Sequence, residues 1–593
     1  MVKYRIISRL GLRQLRRLIR NDHLILTVLA VIIGAAAGFG TILIRQSINY
    51  IQDTLLNTSG EYLLTSVMSL PWWQILFVPT LGGLLIGLFI QYLMPGKNPQ
   101  GIANVIEASA LRGGHMSLRV GIGAAVVSAG SIGVGASVGR EGPAVHLGAT
   151  LGAWLAEKLH LTRSLSRALL GCGAAAAVAA SFNAPIAGAL FAHEVIVGHF
   201  ALSAFAPIVI ASVVGTIVSR IFYGDFPAFT VYEHELASVL EFPAIVGLGL
   251  VCGGIAIIFM KTTMLTEDQF AKLKGPQWIR PGLAGFLVGL IALVFPQVLG
   301  VGYEATDFAL KMQYSLAILI SLMIFKVIAT AISIGGGFGG GVFTPSLMIG
   351  AMLGGAYGII VTSIFPELSS GPSAYTIIGM GGVAAAVMGA PISTTLIVFE
   401  LTDDYPLTIA VMVSVVVSSL LTKQFVKGSF FNWQLERVGY DLKGGFEAAL
   451  LRSITVRETM SEENETVDVA ASIQEIRAKL QSSKTGELFV VREDGELFGT
   501  IILSDLSEVA FDHDVDNLIN AGDVARLHPP LLEVNDDLET ANKVIRDSGE
   551  HYIAVVENHK NMKFVGTLHE TDVMAAYNRT LIEVRSEEHD GVF

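Results

Sequence analysis

Residues 135–148 read Gly-Ala-Ser-Val-Gly-Arg-Glu-Gly-Pro-Ala-Val-His-Leu-Gly and place Arg140 and Glu141 in a glycine-rich turn within an apolar part of the chain. A carboxylate is costly in lipid unless it faces a water-filled path or a partner. Gly142 and Pro143 suit the first turn of a helix, whose free N–H groups favour anions. The stretch predicts either an anion site that the Glu141 carboxylate plugs, or a tight helix–helix contact beside an exposed loop carboxylate.

The composition is that of a membrane protein with a soluble tail. Apolar residues make up 52% of the 593 residues and charged residues 15%, whereas soluble domains contain about 25% charged residues. Residues 451–593 hold 13 Lys and Arg against 29 Asp and Glu, while residues 1–450 hold 26 and 22. We therefore expect a membrane domain followed by an acidic soluble domain. Cys172 and Cys252 both lie in apolar stretches and are expected to be buried thiols.

The positions of the basic residues predict the orientation in the membrane. Lys3 and six arginines precede the first long apolar run, at residues 24–44, and the segment is too basic and too long for a signal peptide. Basic residues favour the cytoplasmic side, and Lys423 and Lys427 follow the last apolar run. We expect a bacterial inner-membrane protein with both termini in the cytoplasm.

The apolar segments are short and often interrupted by glycine or proline. A straight span needs about 20 residues, and broken segments are tolerated only where they are buried in protein or line a cavity. The segments lie at 24–44, 74–94, 120–134, 165–192, 203–221, 240–259, 282–299, 314–334, 346–364, 376–399 and 407–421.

Two signatures recur about 200 residues apart. Pro143-Ala-Val-His-Leu-Gly-Ala-Thr-Leu-Gly152 matches Pro345-Ser-Leu-Met-Ile-Gly-Ala-Met-Leu-Gly354 in both glycines, the alanine and the leucine. Asn183-Ala-Pro-Ile186 matches Gly389-Ala-Pro-Ile392, and a glutamate follows the proline by nine residues in each copy. Such duplication is typical of transporters whose site lies where broken helices of both halves meet. We predict an all-α polytopic membrane domain with an internal inverted repeat and broken helices.

Three motifs carry a resemblance to a known family. Gly139-Arg-Glu-Gly-Pro143, Ser181-Phe-Asn-Ala-Pro185 and Gly341-Val-Phe-Thr-Pro345 resemble, in order and spacing, signature motifs of the CLC family of chloride channels and chloride/proton exchangers. Gly389–Tyr405 fits the same family, and the resemblance covers roughly residues 20–440.

The resemblance implies an anion site made mainly of backbone amides. In the family these amides lie at helix N-termini, and the matching positions are Val342 and Phe343 centrally and Arg140, Glu141 and Gly142 farther out. Glu141 matches the gating glutamate. Partial charges of this kind hold an anion and still release it, whereas a fixed lysine would bind too tightly for rapid passage.

Two positions depart from the family pattern at the central anion site. The first family motif usually carries a serine hydroxyl, but Pro99–Ala103 places Gln100 there. Alternatively, Gln100 caps the next helix. Many members supply a second hydroxyl from a tyrosine, and aligning Ser429–Leu435 places Phe431 at that position. Backbone amides are then the main ligands of the anion.

A third departure concerns proton transfer. Exchangers of the family commonly carry an internal glutamate ten residues after the proline that here is Pro185, and this chain has Val195 at that position. Valine cannot carry a proton, so the usual coupled route is interrupted. The neighbouring His193 and Glu194 are expected to be structural, with a surrogate proton relay as the alternative.

The acidic tail resembles a pair of CBS modules, which are commonly appended to CLC proteins. Glu487–Thr500 followed by Asp505 parallels His551–Thr567 followed by Asp572, and a glycine precedes the aspartate by six residues in each copy. We therefore predict a C-terminal α/β CBS tandem.

The nucleotide site of such modules is incomplete here. Nucleotide-binding members often carry Thr or Ser three residues before the aspartate, but Ile502 and His569 occupy those positions. Asp505 and Asp572 remain, while the acidic surface repels phosphates. We expect a structural or dimer-stabilising tandem and no cofactor, with an adenosine nucleotide as the alternative.

These observations predict a function and a set of domain boundaries. The resemblance implies that chloride or a similar small anion permeates through one pathway per subunit of a homodimer in the lipid bilayer. We expect Glu141 to gate this pathway, without obligatory proton coupling. The alternatives are a chloride/proton antiporter and a membrane-anchored sensor. Because neither a nucleophile–base pair nor a metal-ligand cluster is evident, we expect no enzyme activity and no metal, and we expect no nucleic-acid partner. The predicted boundaries are 1–22 for a basic helix, 23–440 for the membrane domain, 441–452 for a linker, and 453–510 and 521–578 for the two CBS modules.

Overall fold

The computed structural model describes residues 22–58, 63–198, 202–225, 238–426, 428–439, 451, 454–461, 465–483, 486–506 and 519–589. The chain forms two compact units, Met1–Asp441 with Gly591–Phe593, and Leu442–Asp590. The predicted basic helix at 1–22 and the predicted linker at 441–452 lie outside the described residues, apart from Asp22 and Leu451. The predicted domain boundaries remain predictions.

The first unit is built from α-helices joined by short turns. They are α1 Asp22–Leu56, α2 Leu63–Val67, α3 Trp72–Leu93, α4 Ile102–Ala110, α5 Leu118–Gly133, α6 Glu141–Lys158, α7 Arg163–Phe182, α8 Pro185–Phe191, α9 Leu202–Tyr223, α10 Phe242–Lys272, α11 Arg280–Ala292, α12 Tyr303–Leu310, α13 Leu316–Gly335, α14 Phe343–Ile364, α15 Pro372–Met388, α16 Pro391–Thr402, α17 Tyr405–Val426 and α18 Phe430–Arg437. A π-helix, Ala192–Val197, continues α8.

Eight helices of the described chain are long and apolar enough to cross a membrane, namely α1, α3, α7, α9, α10, α13, α14 and α17. Others are apolar but shorter, among them α5, α11, α15 and α16. Short helices are tolerated at membrane depth where neighbouring helices can satisfy the polar groups of the backbone. The predicted mixture of full and broken apolar segments is therefore observed.

The two halves of this unit pack in the same way. On α6, a Cβ at Gly148 would lie 2.3 Å from the carbonyl oxygen of Gly173 on α7. On α14, a Cβ at the repeat-equivalent Gly350 would lie 2.3 Å from the carbonyl oxygen of Gly379 on α15. Only glycine permits such close contact of helix backbones, a common way to pack helices in membranes. The glycines that recur in the sequence repeat thus hold the helix pairs α6–α7 and α14–α15 together.

The second unit contains two small α/β modules. Its elements are α19 Val456–Thr459, β1 Thr466–Asp468, α20 Ile473–Ser482, β2 Glu487–Val491, β3 Leu497–Ile502, α21 Ala521–Val524, β4 Arg526–Leu527, β5 Leu531–Glu533, α22 Leu538–Ser548, β6 Tyr552–Val556, β7 Phe564–His569 and α23 Glu570–His589. One sheet has the order β1-β2-β3-β4 and the other β5-β6-β7. In each, the first two strands are parallel and the next pair is antiparallel.

The two modules share an interface at their β-hairpins. The rings of Phe489 and Phe564 stack with centroids 5.1 Å apart, and the N–H of Leu497 donates to the carbonyl of Met562 at 2.8 Å. The segment around Ile454 packs in the core of the second module, whereas Ala521 packs in the core of the first. The modules therefore fold as one intertwined unit.

Candidate functional site

Two helix N-termini meet where the repeats face each other. The N–H of Gly139 donates to the carbonyl of Gly341 at 2.7 Å, and the N–H of Gly341 donates back to the carbonyl of Gly139 at 2.7 Å. Helices α6 and α14 begin two residues later, at the repeat-equivalent residues Glu141 and Phe343. The reciprocal pair fixes both helix starts beside each other, and helix starts offer unpaired N–H groups and a positive dipole end to an anion.

Glu141 is buried at this junction, with 2% of its surface exposed. The hydroxyl of Tyr303 donates to its Oε1 at 3.1 Å, and the hydroxyl of Thr344 donates to its Oε2. The Nε of Arg140 lies 3.9 Å from Oε1, and its guanidinium lies 4.9 Å from the ring centroid of Tyr303. Glu141 is therefore not an exposed loop carboxylate, because both of its oxygens accept hydrogen bonds from other parts of the chain.

Each of the two residues next to Glu141 in the chain lines a cavity. A cavity of about 640 Å³ is lined by Gly142 and Val342. We call it the vestibule. A second cavity, of about 40 Å³, is lined by Arg140 and Tyr303. Arg140 and Gly142, the two chain neighbours of Glu141, therefore each line one of these cavities.

Val342 and two further residues predicted at the central site line the vestibule, whereas Phe343 does not. Gln100 and Phe431 are both among its lining residues. Gly101, not Gln100, is the N-cap of α4, and its N–H donates to the side-chain oxygen of Asn104 at 3.0 Å. The interpretation of Gln100 as a helix cap is therefore wrong, and Gln100 instead lines the vestibule.

Phe343 joins two of the sequence motifs. It is buried at the start of α14, and its ring meets the ring of Phe182 edge to face with centroids 4.9 Å apart. Phe182 belongs to the motif that ends at Pro185. The structure therefore brings the three motifs to one place, as expected of a shared site.

The predicted proton-path position lies in the π-helix. Val195 and the adjacent Glu194 are half-buried there. The carboxylate of Glu194 accepts hydrogen bonds from the N–H of Ile392 at 3.0 Å and from the N–H and hydroxyl of Ser393 at 2.8 and 2.6 Å. Glu194 thus caps the N-terminus of α16, the repeat-equivalent of its own helix.

Glu400 caps α8 in the same way from the other half. Its carboxylate accepts hydrogen bonds from the N–H of Ile186 at 2.9 Å and of Ala187 at 2.7 Å. The two glutamates that recur nine residues after a proline therefore hold each other's helices reciprocally. The sequence shows the spacing but neither this exchange nor the π-helical winding of the segment that contains Val195.

Sequence reasoning missed three residues near the pathway. Thr344 lies within the third motif, and its hydroxyl next to Phe343 was the available signal. Tyr303 contacts Glu141 across 162 residues and carries no local motif. Glu107 is buried in α4, which packs against the π-helix, and its Oε1 lies 2.5 Å from Nη2 of Arg112 at the vestibule.

In the first CBS module the predicted nucleotide residue is already engaged. The Oδ1 of Asp505 accepts a hydrogen bond from the Nε of Arg526 at 2.9 Å, and its Oδ2 accepts one from the N–H of Ile502 at 2.9 Å. Glu550 lies 3.4 Å from the same guanidinium. The pKa of Glu487 is raised to about 7, mainly because the side chain is buried and secondly because the carboxylate of Glu550 is nearby. Arg526 has the opposite, smaller effect on this pKa. Asp505, the residue that would hold a ribose, is thus paired with an arginine and a backbone N–H.

The matching part of the second module differs. Asp572 lies in the first turn of α23. The Nδ1 of His569 accepts a hydrogen bond from the N–H of Thr571 at 3.1 Å, and its ring lies 4.3 Å from that of Tyr552. His569 thus does not offer the hydroxyl that nucleotide-binding modules supply. Among the described residues, no group of three or more His, Cys, Asp or Glu could hold a metal ion.

Comparison with known proteins agrees with this architecture. The sequence profile described as Voltage gated chloride channel matches residues 82–423, and that of the CBS domain matches residues 456–512 and 521–579. A protein of Ralstonia nicotianae named as a ClcB-like chloride channel is 34% identical over 390 residues, which cover 65% of this chain and 91% of the relative. The H(+)/Cl(-) exchange transporter ClcA of Yersinia pseudotuberculosis is 29% identical over 430 residues, which cover 70% and 88%.

A solved eukaryotic CLC transporter has the same fold, with a TM-score of 0.62 and 19% identity over 94% of this chain and 98% of that one. The predicted fold class, a broken-helix membrane domain followed by an α/β tandem, is confirmed. The chain belongs to the voltage gated chloride channel family, CLC, and carries a C-terminal pair of CBS domains.

Proposed function

We propose that this CLC protein lets chloride or a similar small anion cross the membrane through a pathway gated by Glu141. The observation that carries the proposal is the burial of Glu141 at a junction of two helix N-termini, where its neighbours Arg140 and Gly142 each line a cavity. A carboxylate there occupies a position suited to a small anion, and protonation removes the charge that competes with the anion. The amides of Val342, Phe343 and Gly142 are the proposed anion ligands.

The gating role is tested by neutralising Glu141. Glu141→Gln and Glu141→Ala, reconstituted in liposomes, should give chloride efflux that is fast at every pH. The unaltered protein should be slow at neutral pH and faster in acid, because its carboxylate must be protonated or displaced before an anion passes. If Glu141→Gln retains the original pH response, Glu141 is a structural residue and the proposal fails.

We further propose that anion passage is not obligatorily coupled to protons. Val195 occupies the position that carries a proton-transferring glutamate in exchangers. Glu194 is fully used as the cap of α16, with three donors on its carboxylate. If Glu194 released α16 to move protons, the N–H groups of Ile392 and Ser393 would lose their acceptor.

The second candidate function is chloride/proton exchange. Relatives named as H(+)/Cl(-) exchange transporters favour it, and Glu107 gives it a structural basis. The Glu107 carboxylate is buried beside the π-helix and next to the vestibule. If chloride-driven proton uptake is observed and Glu107→Gln removes it while chloride efflux continues, exchange through Glu107 replaces the uncoupled mechanism.

The CBS tandem is proposed to be structural, without a nucleotide. The engaged Asp505 and the histidine at position 569 support this assignment. Titration of ATP and AMP onto the full-length protein by calorimetry tests it, and saturable binding would contradict it. A homodimer in a bacterial inner membrane, with both termini cytoplasmic, completes the proposal. Cross-linking in native membranes and protease access from each side test these points.

A further inference from the structure

Two hydroxyl groups from outside α6 hold the carboxylate of Glu141. Thr344 lies in the first turn of α14 and donates to Oε2, while Tyr303 begins α12 and donates to Oε1 at 3.1 Å. We propose that Thr344 and Tyr303, together called the hydroxyl latch, hold Glu141 across the pathway and set how often it opens. The inference rests on the gating role of Glu141 proposed above.

The latch engages both oxygens of the carboxylate. Each oxygen has its own hydroxyl donor, and Thr344 is as deeply buried as Glu141, with 2% of its surface exposed. Hydrogen bonds to a charged acceptor are stronger than those between neutral groups, and a buried site has little water to replace them. Glu141 must therefore give up two charge-assisted hydrogen bonds each time it leaves the pathway.

Tyr303 is held in place by the loop before it. The buried Lys326 donates from its Nζ to the carbonyls of Val298 at 3.0 Å and Gly300 at 2.9 Å. Gly302 follows with φ +93°, and a Cβ there would lie 2.4 Å from the sulfur of Met348. This anchored loop leads directly into Tyr303 and holds the backbone from which its side chain reaches Glu141.

Arg140 secures Tyr303 from the other side. Its guanidinium lies 4.9 Å from the ring centroid of Tyr303, within the range of a cation–π contact. Its Nε is also 3.9 Å from the carboxylate. Arg140 therefore contacts the latch and the gate together, which favours a single closed arrangement over several loose ones.

The latch is tested by removing one hydroxyl at a time from the full-length protein in liposomes. Thr344→Val and Tyr303→Phe should each raise the initial rate of chloride efflux at neutral pH about tenfold, the lower end for a lost hydrogen bond to a charged group. The rate seen with Glu141→Ala is the upper limit. Thr344→Ser keeps a hydroxyl and should stay near the original rate.

Matched controls remove hydroxyls that bond only to the backbone elsewhere. Thr376→Val removes a donor to the carbonyl of Pro372 at 2.9 Å, and Tyr357→Phe removes a donor to the carbonyl of Ala244 at 2.8 Å. Both should leave efflux unchanged. Combining either latch variant with Glu141→Ala should add no further increase, since the latch then has no carboxylate to hold. A purely structural residue would alter the rate in that background as well.

The outcomes separate the latch from the gate. If Glu141→Ala speeds efflux but Thr344→Val and Tyr303→Phe both leave it at the original rate, the latch is overturned and the gate stands. If Thr344→Ser speeds efflux as much as Thr344→Val, the hydroxyl is not the cause and the latch is also overturned. If Glu141→Ala leaves efflux unchanged, the gating proposal fails and the latch fails with it.

Discussion

Glu194 caps a helix, and replacing it separates this role from proton transfer. Glu194→Ala removes the acceptor for the two N–H groups of Ile392 and Ser393 at the start of α16 and for the Ser393 hydroxyl. Glu194→Gln keeps one acceptor oxygen but loses the charge and the ability to titrate. If Glu194 is only a cap, the alanine variant should be less stable, and the glutamine variant should conduct normally.

The size of the effect follows from the contacts. Loss of an N-terminal cap costs about 0.5–2 kcal/mol, and loss of a negative charge at a helix N-terminus costs about 0.3–1 kcal/mol more. We expect Glu194→Ala to lower the unfolding temperature by roughly 1–3 °C. Glu194→Gln loses mainly the charge contribution and should lower it by no more than roughly 1 °C.

The inverted repeat supplies a matched control. Glu400 makes the equivalent cap on α8 with two backbone donors, and it is far in sequence from the predicted proton-path position. Tryptophan fluorescence in detergent measures stability, and chloride efflux from liposomes measures transport. Glu194→Gln and Glu400→Gln should both retain efflux within about a factor of two, since each keeps a hydrogen-bond acceptor. If Glu194→Gln abolishes transport or removes proton movement while Glu400→Gln does neither, Glu194 is part of a relay and the capping explanation is refuted.

Three further predictions concern other parts of the molecule. Gln100→Ser combined with Phe431→Tyr restores two hydroxyl donors at the vestibule and should tighten chloride binding about tenfold by calorimetry; equal affinities would contradict the relaxed central site. Gly139→Ala places a Cβ 2.9 Å from Oε2 of Glu141 and 3.1 Å from the carbonyl of Gly341, so it should displace the Glu141 side chain and speed chloride efflux. Gly254→Ala is the control and should leave efflux unchanged, because the added Cβ meets nothing within 4 Å. Because the pKa of Glu487 is raised to about 7 from its ordinary 4.5, the folded CBS unit takes up a proton and its stability falls as pH rises from about 4.5 to 7. Glu487→Gln should therefore increase the free energy of unfolding of this unit at pH 8 by roughly 1–2 kcal/mol, after allowance for solvent screening, and should change it little at pH 4. The urea midpoint from pulse proteolysis of the full-length protein measures this change, with the exposed Glu493→Gln as control.

Much of the fold could be predicted because glycine, proline and glutamate residues recur at the same spacing in both halves of the repeat. The recurring glycines mark places where helix backbones touch, as Gly148 and Gly350 show. Recurring prolines mark helix starts, since α8 and α16 both begin at one. These residues leave a sequence signal because only they satisfy the local geometry. The π-helix Ala192–Val197 leaves no such signal in the sequence.

The sequence predicts only those parts of the candidate site that lie in local motifs at helix starts. Glu141, Val342 and Phe343 lie in short motifs that begin helices, so their position follows from local sequence. Tyr303 reaches Glu141 through a loop anchored by the distant Lys326. Likewise, Arg526, which engages Asp505, lies on β4, and β4 pairs with β3, the strand that precedes Asp505. Such contacts depend on tertiary packing, and no residue spacing in the sequence predicts them.

The uncoupled mechanism is tested most directly by measuring proton movement driven by a chloride gradient alone. Full-length protein in liposomes, with high chloride on one side and equal pH on both, is followed with a pH-sensitive dye while a potassium ionophore sets the membrane potential. Our account predicts chloride flux without uphill proton movement, and a current that reverses at the chloride equilibrium potential whatever the pH gradient. Sustained proton pumping that Glu141→Gln abolishes would contradict it and establish an exchanger.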